Sequence, residues 1–208
     1  MTQTATAPAI SPEATTWADL TPGTWLIDPR NSAAHFEVKH ALISKIRGLV
    51  PISGGIIEVG ADLGSTTVNV AIDPSGVSTG LGDRDDLLRG PNFFDVVSYP
   101  VWSFESTEIA RLDTDLVVEG NLTLHGQTRT AAFTVEFTGV DESQSGAPVA
   151  GFTAVAQIDR RDFGLTWTPQ QVGNHIHTGN KVNLTIYLVA SPVGSEWVGG
   201  GLVEVFEA

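Results

Sequence analysis

The chain has 208 residues, 24 acidic against 11 basic side chains, a net charge of −13 and no cysteine. That excess of negative charge repels nucleic acid and anionic membrane surfaces, so neither is an expected partner. The missing cysteine excludes disulfides, thiol nucleophiles and cysteine-bound zinc, and no window approaches the ~18 consecutive apolar residues of a spanning helix, so no integral membrane segment is expected.

Residues 1–20, rich in Thr, Ala and Pro, read as a flexible N-terminal arm. The arm lacks the basic start and apolar centre of a secretory signal, which makes the cytoplasm the expected location. From Trp25 onward the pattern has period two. Ala34, Phe36, Val38 and His40 share one face against His35, Glu37 and Lys39. The same alternation runs through Val68–Ile72, Trp102–Phe104, Leu116–Leu124, Phe133–Phe137, Phe152–Ile158 and Val182–Leu188, and Ile46–Val59 adds another segment. Gly64-Ser65, Pro74-Ser75-Gly76, His125-Gly126-Gln127, Ser145-Gly146 and Gly179-Asn180 read as turns between them. Only the stretch around Arg84–Asp95 suits a helix, so parallel βαβ folds are excluded. About eight short antiparallel strands predict an all-β closed barrel, which leaves no exposed sheet edge and has room inside for one ligand. The barrel domain is expected over residues 21–191, followed by a Gly-rich tail over 192–208.

Thr79–Pro100 is the long interruption in this pattern. Charged residues (Asp83, Arg84, Asp85, Asp86, Arg89) lead into the apolar pair Phe93 and Phe94. A barrel with an apolar, partly empty interior needs a plug of this kind, so a short helical plug over residues 80–98 is expected. Its Phe93 and Phe94 would close the cavity.

Short motifs along the chain resemble those of the YceI-like family of polyisoprenoid-binding, lipocalin-like barrel proteins. They begin with Gly23-Thr24-Trp25-Leu26-Ile27-Asp28-Pro29, Phe36-Glu37-Val38-Lys39-His40 and Lys45-Ile46-Arg47-Gly48. In mid-chain come Ile72-Asp73, Thr79-Gly80, Arg84-Asp85, Leu88, Phe93-Phe94-Asp95 and Tyr99-Pro100. Gly120-Asn121-Leu122-Thr123-Leu124-His125-Gly126, Thr128-Arg129 and Arg161-Asp162-Phe163-Gly164 complete the set, so that the likeness runs from about Gly23 to Ala190. The resemblance implies an extended eight-stranded antiparallel lipocalin-like barrel. It implies non-catalytic binding, storage or transport of a long-chain isoprenoid or quinone lipid, tail inward, with no cofactor, and pairing into a homodimer. The sequence departs from the family pattern at Asn174-His175-Ile176-His177, where a more apolar run is expected.

A hydrocarbon pocket needs continuous apolar lining, because water exclusion and dispersion supply the affinity. The inward faces assign Phe36, Val38, Val70, Trp102, Phe104, Leu122, Phe133, Val135, Phe152, Ile158, Leu184 and Ile186 to that lining, together with Phe93, Phe94 and the polar His40. The same residues would equally fill a solid core, leaving a ligand-free interaction module. Arg84 with Asp85, and Arg161 in Arg160-Arg161-Asp162, are head-group candidates, since a guanidinium fork suits phosphate or quinone oxygens. Each could instead pin the plug or a turn. Two enzyme readings stay open. His175 and His177, spaced i and i+2, would point the same way on an extended segment and hold a metal with His40, His125 or an acid. Gly76-Val77-Ser78-Thr79-Gly80 matches the G-x-S-x-G elbow of serine hydrolases, but that elbow belongs to a helix-flanked parallel sheet.

Overall fold

The structure is a computed structural model that describes residues 17, 20–40, 44–112, 115–143, 146–167 and 178–195. Alternating apolar side chains become strands throughout. Among the described residues there are nine: β1 (Gly23–Ile27), β2 (Ala33–His40), β3 (Ser44–Val59), β4 (Thr67–Ile72), β5 (Trp102–Leu112), β6 (Asp115–Leu124), β7 (Gln127–Glu142), β8 (Pro148–Asp159) and β9 (Thr178–Pro192). One α-helix, α1 (Gly82–Arg89), stands between β4 and β5. The strands form a single antiparallel sheet in the order β1-β3-β2-β9-β8-β7-β6-β5-β4, which the β3–β4 pairing closes into a barrel.

These nine strands make eight staves. β2 pairs with Ser44–Pro51 of β3 and with Thr178–Tyr187 of β9. β1 pairs farther along the same two neighbours, at Ile56–Val59 and Ala190–Pro192. Thus β1 and β2 lie end to end in one stave, broken at Asp28–Ser32. The buried Asp28 carboxylate holds the break, accepting from the Arg30 backbone N–H at 3.0 Å and from Asn31 Nδ2 at 2.5 Å. The all-β barrel and its short helix match the architecture expected from alternation; Gly23–Ile27 is the strand that the sequence pattern alone did not mark. Gly179-Asn180, expected to be a turn, lies inside β9.

Register shifts at Val38/His40, Ile52/Gly54, Ser106/Glu108 and Phe137/Gly139 mark bulges, which supply the coiling that closure demands. β6 and β7 turn through His125 (φ 50°) and Gly126 (φ 69°), a two-residue hairpin of the primed type. Two glycines make room for aromatic rings on the inner face. A Cβ at Gly48 would stand 2.5 Å from Phe36 Cζ, and one at Gly120 would stand 2.6 Å from Phe104 Cζ.

Aromatic and aliphatic side chains gather at the end of the barrel away from α1. Trp25 and Leu20 are buried there, and the Trp25 indole donates to the Thr21 carbonyl at 3.0 Å. Trp17 stacks against Phe137 and Phe152, with ring centroids 6.2 and 6.0 Å apart. The arm expected over residues 1–20 therefore includes two side chains, Trp17 and Leu20, that belong to the core. Of the expected tail, residues 196–208 lie outside the described residues.

Candidate ligand cavity

Inside the barrel, beneath α1, is a cavity of about 380 Å³, within the usual range of small-molecule sites. Strand alternation builds its wall, since every second side chain of a barrel strand points inward. The structure places each residue assigned to the lining on that wall: Phe36, Val38, His40, Val70, Phe93, Phe94, Trp102, Phe104, Leu122, Phe133, Val135, Phe152, Ile158, Leu184 and Ile186. Ring contacts fix several of them, among them Phe104 edge-on to Phe133 at 5.1 Å. The space is therefore a lined cavity and not a solid core.

The plug closes one end. Phe94 is buried, edge-on to Trp102 at 4.6 Å, and the half-buried Phe93 packs beside it at 5.1 Å and meets Trp167 at 6.4 Å. Helix α1 carries Asp83 and Asp85 in its first turn and Arg89 in its last, which suits the helix dipole. Its anchors are polar. Thr79 is the knot: its backbone N–H donates to the buried Asp85 carboxylate at 2.8 Å, and its hydroxyl donates to the same oxygen. That hydroxyl also accepts from Arg84 Nε at 2.7 Å, while Arg84 Nη2 donates to the Thr79 carbonyl at 2.9 Å. Arg89 reaches the carbonyls of Ser75 and Val77 at 2.6 and 2.8 Å.

This geometry sorts the head-group candidates. Arg84 borders the cavity, although two of its donors are committed to Thr79. Asp85 does not line the cavity; it pins the helix to the segment before it. Arg161 points outward, with its side chain 57% exposed and forked onto Asp159 at 2.9 and 2.6 Å. That fork holds the Asp159 carboxyl down at about 2 and raises the Arg161 guanidinium above its ordinary range. Of the two neighbouring arginines, it is Arg160, 4% exposed, that lines the wall. β8 ends at Asp159, and in the turn that follows Arg160 is buried on the side of Ile158 while Arg161 faces out.

Two buried atoms of lining residues, His40 Nδ1 and Trp102 Nε1, have no hydrogen-bond partner among the described residues. Trp17 and Trp167 also line the cavity. Sequence reasoning missed both, and a lone tryptophan in a Thr/Ala/Pro-rich arm was the available signal for the first.

Neither enzyme reading gains a site. His175 and His177 lie outside the described residues. Among the described residues, no three His, Asp or Glu side chains are grouped to hold a metal ion. His125, the other histidine considered as a ligand, stacks on Tyr99 at 4.5 Å in the β6–β7 hairpin. Ser78 is held by its backbone in a bridge to Leu49, and no helix-flanked parallel sheet surrounds it.

The profile of the YceI-like domain matches residues 25–190. The chain belongs to the YceI-like family. A UPF0312 protein of Vibrio cholerae serotype O1 is 30% identical over 145 residues, 68% of this chain and 77% of that protein. Two solved structures share the fold. Burkholderia cenocepacia BcnA aligns with a TM-score of 0.63 at 21% identity, covering 78% of this chain and 98% of BcnA. A polyisoprenoid binding domain from Saccharophagus degradans aligns with a TM-score of 0.61 at 15% identity, covering 81% of this chain and 98% of that domain. These likenesses support the barrel; the cavity chemistry rests on the residues above.

Proposed function

We propose that this YceI-like barrel is a non-catalytic binding protein for a polyisoprenoid or isoprenoid-quinone lipid, which it stores or carries with the tail inside the barrel. The observation that carries this reading is the apolar cavity of about 380 Å³ closed by Phe93 and Phe94. A flexible hydrocarbon is the ligand that such a wall favours, at about 0.8 kcal/mol for each methylene withdrawn from water. The polar side chains among the lining residues are few: His40, Arg84, Arg160 and Thr178. Most of the wall therefore matches a tail and a small part matches a head. The polyisoprenoid-binding relative from Saccharophagus degradans supports the same reading. Location in the cytoplasm and pairing into a homodimer complete the proposal. The outward Val155 and Tyr187, 45% and 47% exposed on β8 and β9, offer a modest apolar face for pairing.

Three cavity tryptophans report on occupancy directly. Delipidated protein titrated with geranylgeraniol should show saturable quenching of tryptophan fluorescence with one lipid per chain. Fluorescence that drifts without saturating would refute the proposal.

A further inference from the structure

The cavity carries charge of one sign. Among the described residues its wall includes Arg84 and Arg160 but no aspartate or glutamate, in a chain with 24 acids against 11 bases. A strongly acidic protein has kept carboxylates away from one internal surface and left two guanidinium groups on it.

Arg160 is the more telling of the two. It is 4% exposed, at the end of β8 where the strand passes into the Arg160–Phe163 turn. Nε donates to the Gly179 carbonyl at 3.1 Å, and Nη1 donates to the carbonyls of Leu165 and Trp167, the latter at 3.1 Å. Nη2 has no acceptor among the described residues. The nearest acid in sequence, Asp159, spends both oxygens on Arg161. Carbonyl dipoles therefore orient the guanidinium; among the described residues it forms no ion pair, and the nearby Asp159 charge acts on it only at a distance. Burial lowers its pKa, yet a guanidinium remains protonated at neutral pH. Two further buried atoms of lining residues, Trp102 Nε1 and His40 Nδ1, have no hydrogen-bond partner among the described residues. Buried polar groups without partners are rare in folded proteins and call for an explanation.

We infer that the lipid taken by this barrel carries an anionic head group (a phosphate or carboxylate at the end of the hydrocarbon), and that Arg160 is its counter-ion. Arg84 adds a second positive charge at the same cavity. The inference rests on the lipid-binding reading and narrows it, since a neutral quinone or alcohol would leave Arg160 without a counter-charge. Charge-assisted bonds to a buried guanidinium are the strong class of hydrogen bond, and they discriminate between ligands that share a tail.

The test compares matched tails. Dissociation constants for geranylgeranyl monophosphate and geranylgeraniol, and for oleate and oleyl alcohol, are measured by tryptophan quenching on delipidated protein. Wild type should bind the monophosphate about tenfold or more tightly than the alcohol. Arg160→Met should abolish that ratio by weakening the monophosphate more than the alcohol, and Arg160→Lys should keep part of the ratio. Should Arg160→Met fail to fold, Arg160→Gln replaces it. A parallel preference for oleate over oleyl alcohol supports a general anion site; a preference confined to the monophosphate supports a prenyl-phosphate source. Equal affinity of wild type for alcohol and anion overturns the inference and leaves lipid binding standing. A ratio that survives Arg160→Met, or that disappears only in Arg84→Met, overturns the assignment to Arg160. If no lipid binds, the underlying reading fails with it.

Discussion

Replacing Ala154 by phenylalanine separates an empty cavity from a dry core by the sign of its effect. Ala154 is 8% exposed on β8, lines the cavity, and lies across from Val135 and Ile186. In a solid core the added ring forces its neighbours off their rotamers and costs roughly 1–3 kcal/mol or more. Here the ring displaces about the volume of three waters, roughly 100 Å³ at ~30 Å³ each, and the cavity offers about 380 Å³. The variant should therefore melt no lower than wild type, and burial of the ring can add up to about 2 kcal/mol. At roughly 2–4 °C per kcal/mol for a chain of this size, the two cases differ by several degrees. Lipid affinity should move the other way. The ring takes the place of about one five-carbon isoprene unit, worth about 4 kcal/mol at ~0.8 kcal/mol per carbon, so binding should weaken by as much as a thousandfold. Thermal melts of the delipidated variant and quenching titrations with geranylgeraniol give both numbers. A Tm depressed by more than about 5 °C, or unchanged affinity, would refute the reasoning.

Three further outcomes follow from the same geometry. Phe93→Ala with Phe94→Ala should cost about 3 kcal/mol for each ring, the low end for phenylalanine truncation because the rings border empty space, and should speed lipid release about tenfold or more; an unchanged stopped-flow off-rate would show that the plug does not gate the cavity. Asp85→Ala strips the Thr79 backbone N–H of its acceptor and should lower stability by about 1–3 kcal/mol in urea unfolding, whereas an unchanged midpoint would remove Asp85 from the anchor. Asp159 is held at about 2 by Arg161, below its ordinary 3.8, so its contribution is present above about pH 4 and is lost as pH falls through 2. The urea midpoints of wild type and Asp159→Asn should accordingly differ at neutral pH and converge near pH 2, and a gap that persists in acid would contradict this assignment.

The barrel and its wall were legible because an antiparallel stave repeats every second residue. Once Phe36 or Leu122 is placed inward, the rest of its strand follows. The rule stops with β8 at Asp159, and in the turn that follows Arg160 is buried while Arg161 faces out. Choosing Arg161 as the head-group candidate followed the motif Arg161-Asp162-Phe163-Gly164, where alternation no longer tells inside from outside. β1 was less legible because the Asp28–Ser32 break stops the alternation, so Gly23–Ile27 reads as a lead-in, although it completes a stave through its pairings with β3 and β9. Trp17 was hidden by composition, since a Thr/Ala/Pro-rich arm gives no periodic signal that one of its aromatics packs against Phe137 and Phe152. The plug's polar anchors were visible as residue types only. That Asp85 serves Thr79 and that Arg84 borders the cavity depends on contacts that spacing along the chain cannot supply.

The central claim is that the barrel holds a lipid, and native mass spectrometry of the purified protein tests it most directly. The protein should carry bound mass, and organic extraction should release an isoprenoid species; after delipidation, one added geranylgeraniol per chain should restore a bound mass. A bare polypeptide mass that takes up no added lipid would contradict the account and leave an empty barrel without a ligand.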